Sequence, residues 1–278
     1  MVAMDIKIGH AGDADDAFMY FGIAAGKTDT GDFRFVLDTQ DIRTLNDRAS
    51  RGQYELTAIS THAYAYVRDR YVVSRCGGTF GEGFGPVVIS REPIAPEDIR
   101  EHTVAVPGAT TSAYLALQLH SPGQRTMVLP SDKIIPAVQT GVVDCGLTIQ
   151  ESQISYVQAG LQPVLDLGAW WAGKTDGLPL PLSVNVIRRN LSPEVQTRLA
   201  DILERSIRYG LDHRDEAIAH AMATSGQGDA ALVGEFVGKY VTDLACDMGD
   251  RGRRAIEEFL SQAHQAGIIP DVLPIELV

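Results

Sequence analysis

Apolar residues come first as a short run, "DIKIG" at residues 5–9, and then recur at helical spacing from Ala17 onward. The same alternation continues. A strand is predicted over Asp5–Gly9, a helix over Ala17–Ala25, a strand over Phe33–Thr39 and a helix over Asp41–Arg51, whose acidic start suits the positive end of a helix. Leu56–Ser60 reads as a third strand running straight into a helix over Ala63–Arg70. A passage rich in Gly and Pro, "CGGTFGEGFGPVVISREPIAPEDI", then carries one strand, Pro86–Ser90, and reads as a crossing between lobes.

A second run of the same kind follows. Thr103–Val106 is predicted as a strand, Thr111–Leu119 and Lys133–Thr140 as helices, and Asp144–Ile149 as a buried strand. "DGLPLPLSVNVIRRNL" is interrupted by Pro and then strand-like, as a return crossing would be. From Ser192, which precedes Pro193 and Glu194 as an N-cap, the pattern is helical, with further helices over about 213–223, 230–240 and 250–266. The alternation predicts an α/β protein of parallel strands in two lobes, residues 1–90 with 190–278 and residues 91–189, crossing near Ser90 and Val186.

Composition narrows the function. The 278 residues are 45% hydrophobic and 22% charged, ordinary for a globular chain, with a formal net charge of −12. That charge disfavours nucleic acid and anionic membrane surfaces as partners. No apolar run reaches signal-peptide or membrane-span length, so a cytoplasmic protein is expected. Cys76, Cys145 and Cys246 lack metal-site spacing, and the seven His include no HxxxH or HExxH. Neither a P-loop nor a GxGxxG before a helix is present, and neither a metal nor a cofactor is expected.

Three junctions place small polar residues between a strand and a helix start: "LTAIS–THAYAY", "VAVPG–ATTSAY" and "IKIGH–AGDADDAF". Ligands of open α/β sheets lie beyond the C-terminal ends of strands, and helix starts offer unpaired N–H groups to anions. In "PGATTSAY", Gly108 permits close backbone approach while Thr110, Thr111 and Ser112 supply hydroxyls, although helix capping explains them equally well. His62 lies in a first helical turn that would face the same cleft. The acidic "DADD" at 13–16 fits a helix start without a metal, and Trp170–Trp171 fit packing better than ligand stacking. Finally, the strand ending at Ile149 stops on Gln150 and Glu151, either a solvated turn or residues that face a ligand.

The order of "GHAGDADDAFMYFG", "QDIRTLNDRA", "LTAISTHAYAYVRDRY", "GEGFGPVV", "VAVPGATTSAYLAL", "VDCGLTIQESQISY", "LGAWW" and "GLPLPL" resembles the 1,4-dihydroxy-6-naphthoate synthase family of the futalosine route to menaquinone, from about residue 5 to about residue 260. The resemblance implies a two-lobed, type II periplasmic-binding-protein-like fold with an interlobe cleft. It implies a lyase that converts cyclic dehypoxanthine futalosine, an aryl carboxylate, to the naphthoate and a three-carbon fragment. Thr111 and Ser112 match the family's paired cleft hydroxyls and Ser60 its cleft serine; Asp16, Gly108 and Thr110 complete the expected binding set.

One position departs from the pattern. Gln150 stands where the resemblance implies a His acting as base, and an amide cannot abstract a proton. Three readings follow: a lyase using another base, a non-catalytic binder of such a ligand, or a chain changed at Gln150 to trap substrate. The substitute bases expected are His62 and Glu151, with His62 ranked first, because residues leaving a strand alternate and Glu151 should face away if Gln150 faces the cleft.

Overall fold

The computed structural model describes residues 4–278, so the first three residues of the expected first lobe lie outside it. The described residues form eleven strands. In chain order these are β1 (Met4–Ala11), β2 (Phe33–Gln40), β3 (Leu56–Ser60), β4 (Tyr71–Val73), β5 (Thr79–Gly81) and β6 (Val87–Ser90). They continue as β7 (Val104–Val106), β8 (Thr126–Val128), β9 (Cys145–Thr148), β10 (Gln162–Asp166) and β11 (Leu180–Arg188).

Two sheets result. The first has the order β2-β1-β3-β11-β4, with β5 also on β11; the second has the order β10-β6-β9-β7-β8. β1 pairs in parallel with β2 and β3, whereas β11 runs antiparallel to β3, β4 and β5. The second sheet is mixed in the same way, with β7 parallel to β8 and β9 but β6 antiparallel to β9 and β10. The expectation of parallel strands therefore holds only for the strands that alternate with helices. Strands entering or leaving each sheet at the crossings reverse direction.

Because β6 pairs in the second sheet, the chain passes between sheets from Gly81 to Val87, a few residues before the Ser90 expected from sequence. It returns between Asp166 and Leu180, in a segment that holds the helix Leu167–Lys174. That return is tight. A β-carbon at Gly168 would overlap the carbonyl of Phe84, so glycine is needed where the two crossing segments touch.

All five residues of β3 are buried because the strand lies between β1 and β11 inside the sheet, which explains its unbroken run of small and apolar residues. The helix Ile42–Ser50 begins at Asp41, whose carboxylate accepts from the Thr44 amide at 3.0 Å. The helix Pro193–Asp212 is capped by Ser192 and buries Leu199, Leu203 and Ile207 at helical spacing against the first sheet's outer face. Each such leucine stabilises the fold by about 1.5–3 kcal/mol.

One apolar cluster links the sheets. It runs from Ile59 and Val184 in the first sheet through Phe259 and Trp171 to Val88 and Leu147 in the second. Trp171 is fully buried, donates its indole N–H to the Pro179 carbonyl at 3.2 Å and meets Phe259 edge to face at 5.3 Å. It packs and does not meet the cavity between the sheets.

Two helices are shorter than the sequence predicts. The segment expected as Ala17–Ala25 starts earlier and breaks at Tyr20 into Ala14–Met19 and Phe21–Ala24. The segment expected over Ala63–Arg70 is helical only over Thr61–Tyr64. No helix among the described residues is long and apolar enough to cross a membrane.

Candidate functional site

Strand ends β1, β3 and β9 and the start of the helix Ser112–His120 converge on a cavity of about 80 Å³ between the two sheets. Its lining joins Asp13, Asp15 and Asp16 from the segment after β1, Ser60 from β3, Thr79 from β5, and Ser183 from β11. From the other side come Thr111, Ser112, Gln150 and Gln153, with Phe236 and Tyr240 closing one end.

The helix-start side is built of hydroxyls whose capacities are already partly used. The Thr111 hydroxyl donates to the Gly108 carbonyl at 2.9 Å and accepts from the Tyr114 amide at 3.3 Å, a regular N-cap. The Ser112 hydroxyl donates to the Leu182 carbonyl at 2.6 Å and accepts from the His62 amide at 3.2 Å, tying its helix to the first sheet. Ser60 differs. Its oxygen accepts from the Asn46 amide at 3.0 Å, which leaves the hydroxyl proton for a ligand. Gly108 and Thr110 stand back from the cavity lining, Thr110 accepting from Asn46 at 3.4 Å and Gly108 serving as the acceptor of the Thr111 cap.

The opposite side is acidic. Asp16 is buried and accepts from the Ala11 amide at 2.6 Å. Asp15 is buried and accepts the Thr79 hydroxyl at 3.1 Å, while its Oδ1 has no partner. Asp13 accepts from the Gln150 amide at 3.1 Å and also keeps an unpartnered Oδ1, shut off from solvent. Burial, followed by the neighbouring carboxylates Asp15 and Glu151, holds Asp13 well above the usual carboxylate range. Asp16 is likewise raised, by burial and then by Asp13. Burial raises Asp15 to about 7, helped by Asp16 and Glu151 and opposed by the Thr79 hydroxyl.

Gln150 adopts a left-handed backbone, φ 59°, uncommon for a residue with a β-carbon. Past that turn Glu151 reaches the segment after β1, where it accepts from the Ala14 amide at 2.9 Å. It is nevertheless sealed there rather than lining the cavity, and burial raises its pKa.

His62 departs from expectation. It is buried behind the helix start, absent from the cavity lining, with Nδ1 3.3 Å from the Thr111 carbonyl and Nε2 3.4 Å from the Tyr66 hydroxyl. Those partners place the proton on Nδ1 and occupy the free nitrogen. Burial lowers its pKa to about 4, so the reference value of a free imidazole is no guide to it.

The Gln153 amide, oriented so that its oxygen accepts from the Gln150 N–H at 3.0 Å, donates to the Gly85 carbonyl and the Tyr240 hydroxyl, both at 2.6 Å. Tyr240 then has its own proton to give to the cavity. Its pKa is raised, first by burial and then by the charge of Asp15. Asn46, Gln153 and Tyr240 were not singled out in the sequence. Asn46 carries a signal, a polar residue one place from Leu45 on the buried face of its helix, whereas Tyr240 reads as one more apolar-face aromatic.

A family model described as menaquinone biosynthesis matches residues 6–265. The chain belongs to that family. It is 37% identical over 265 residues to the 1,4-dihydroxy-6-naphthoate synthase of Thermus thermophilus, covering 95% of each chain. It is 34% identical over 280 residues to the enzyme of the same name from Streptomyces coelicolor, covering 99% of this chain and 98% of that one. A solved protein of Archaeoglobus fulgidus superposes with a TM-score of 0.91 at 39% identity, covering 95% and 98% of the two chains. The fold reaches further. The alkanesulfonate-binding protein of Xanthomonas axonopodis bound to MOPS shares it at a TM-score of 0.70 and 10% identity, covering 98% of this chain and 96% of that one. The menaquinone-family chain thus has the periplasmic-binding-protein-like architecture expected for it, with a small-molecule cavity between its sheets.

Proposed function

We propose that the chain is a 1,4-dihydroxy-6-naphthoate synthase, the lyase that converts cyclic dehypoxanthine futalosine to the naphthoate in the cytoplasm. The observation that carries this reading is near-full-length identity of 37% and 34% to two enzymes of that name. The cavity is in keeping with it. The aryl carboxylate is proposed to lie at the start of the helix Ser112–His120, where first-turn amides lack intrahelical partners, with the Ser60 hydroxyl donating to it. The less acidic, oxygen-rich part of the substrate would then lie toward Asp15, Asp16 and Tyr240. The two sheets are proposed as two lobes, the first from residues before β6 together with those from β11 onward, the second from β6 to the return crossing.

The test is direct. Purified protein incubated with the cyclic substrate is expected to release the naphthoate, followed by liquid chromatography with mass detection. Substrate that binds and is recovered unchanged would leave a binding protein in its place.

A further inference from the structure

We propose that Asn46 is a positioning residue for the substrate: it fixes the hydroxyl of Ser60 as a hydrogen-bond donor toward the substrate carboxylate, and it acts through Ser60. The inference rests on the synthase reading of the cavity above. Ser60 ends β3, lines the cavity and is 3% exposed. A serine directly before a helix ordinarily caps it, yet the Ser60 hydroxyl makes no cap bond to the helix Thr61–Tyr64. Asn46, buried with Leu45 and Ala49 on the inner face of the helix Ile42–Ser50, has taken it instead.

The direction of that bond follows from the backbone. The Ser60 N–H donates to Asn46 Oδ1 at 2.9 Å, which identifies the oxygen of the amide and leaves Nδ2 on the Ser60 hydroxyl oxygen at 3.0 Å. An amide NH2 only donates, so the hydroxyl accepts from it and turns its own proton elsewhere. Among the described residues no group accepts that proton. A buried donor without a partner is costly, and the occupant of the cavity is what can satisfy it. The occupant must therefore bring an acceptor.

The rest of the cavity raises the worth of such a donor. No Lys or Arg lines it among the described residues, and one wall carries Asp13, Asp15 and Asp16. The hydroxyls of Thr111 and Ser112 give their protons to the Gly108 and Leu182 carbonyls. A carboxylate at the start of the helix Ser112–His120 thus draws on first-turn amides and on Ser60, and a neutral donor held in one direction beforehand needs no reorientation when the anion arrives. Asn46 also reaches the loop before that helix, donating to Thr110 Oγ1 at 3.4 Å. Both protons of the amide are then engaged.

A binding cycle tests the proposal, with 1,4-dihydroxy-6-naphthoate as the probe and calorimetry as the readout. Ser60→Ala and Asn46→Ala should each weaken binding by about tenfold, as the loss of a hydrogen bond to a charged group does. The double variant should bind within about twofold of Ser60→Ala alone, because Asn46 then has no hydroxyl to orient. Its melting temperature should still fall below that of Ser60→Ala, since the Ser60 N–H loses its acceptor in either background. With the cyclic substrate, Asn46→Ala should raise KM by about tenfold and leave kcat within about threefold of native. Asn46→Asp covers a loss of folding in Asn46→Ala: it keeps an acceptor for the Ser60 N–H, removes the donor to the hydroxyl, and should weaken naphthoate binding by about tenfold or more. Binding within about twofold of native for either Asn46 variant, or a further loss of about tenfold in the double variant over Ser60→Ala, overturns the role of Asn46 and leaves the synthase reading standing. Naphthoate not bound by the native chain also overturns it, and a native chain that in addition forms none from the cyclic substrate takes the synthase reading down with it.

Discussion

The side-chain amide of Gln150 donates to the carboxyl group of Asp13 at 3.1 Å, joining residues 137 apart in sequence, one just past β1 of the first sheet and the other just past β9 of the second. The backbone turn at Gln150 makes this possible. With an ordinary extended conformation after β9 the side chain would follow the strand's alternation, whereas φ 59° aims it at the helix start across the cavity. The neighbouring bond from the Ala14 amide to Glu151, at 2.9 Å, closes the same seam.

An imidazole at position 150 would meet Asp13 in that geometry. Hydrogen-bonded to a carboxyl group that ionises to receive it, the ring would gain basicity and present its other nitrogen to the cavity. Gln150→His is therefore expected to raise the rate of naphthoate formation tenfold or more, measured at saturating substrate. A rate equal to or below that of the native chain would show that position 150 does not reach the reacting atoms.

Thr111 and Ser112 were expected to bind substrate through their hydroxyls, but their hydrogen bonds point inward. Ser112→Ala removes the acceptor of the His62 amide and the donor to the Leu182 carbonyl, leaving two buried groups unpaired. A destabilisation of about 1–3 kcal/mol is expected, lowering the melting temperature by several degrees. Substrate affinity of the folded variant should stay within a few-fold of native. A tenfold loss of affinity at unchanged melting temperature would restore the binding role.

The sequence carried the layered alternation because β3, β7 and β9 are buried on both faces and read as runs of small and apolar residues, while β1 alternates Ile6 and Ile8 with the more exposed Asp5 and Lys7. It did not carry β4, β5, β8 and β10; the first three are three residues each, and β4, β5 and β10 take their partners from distant segments. The site was legible as a set of strand ends and hydroxyl-rich helix starts. What those hydroxyls bond to was not, since Leu182 and His62 reach Ser112 only through the tertiary fold. Asp13 and Asp15 read as acids complementing a helix start, and it takes the tertiary fold to bury them beside Glu151 and one another, so that burial and then neighbouring carboxylate charge raise both. The bond from the Ala14 amide to Glu151 was not legible, because a strand's alternation ends wherever the backbone turns left-handed and nothing about a Gln announces such a turn.

The buried acids set a pH dependence of stability. Asp13 has a folded pKa above its unfolded value, so its contribution is full below about pH 4 and is lost as pH rises toward the folded value. Paired surface acids such as Asp32 and Asp38 have lowered values and lose their contribution only as pH falls below the ordinary carboxylate range. Between about pH 5 and 8 the buried set governs. Asp13→Asn cannot ionise, so its melting temperature should exceed that of the native chain by a margin that widens with pH, at up to about 1.4 kcal/mol per pH unit for one proton. A margin that is constant or shrinks as pH rises would mean that Asp13 is ionised at no cost.

His62 separates packing from catalysis. Its ring holds the Thr111 carbonyl and receives the Tyr66 hydroxyl, and with a pKa lowered to about 4 it stays neutral across the working range. It does not line the cavity. His62→Asn keeps a donor toward Thr111 but loses the ring's packing against Tyr66, whose centroid lies 5.7 Å away. The expected result is a loss of stability of about 1–2 kcal/mol with the naphthoate-forming rate of the folded protein within about threefold of native. A loss of turnover of a hundredfold or more at unchanged melting temperature would make His62 a participant after all, and would require the helix start to move so that Nε2 leaves Tyr66 and enters the cavity.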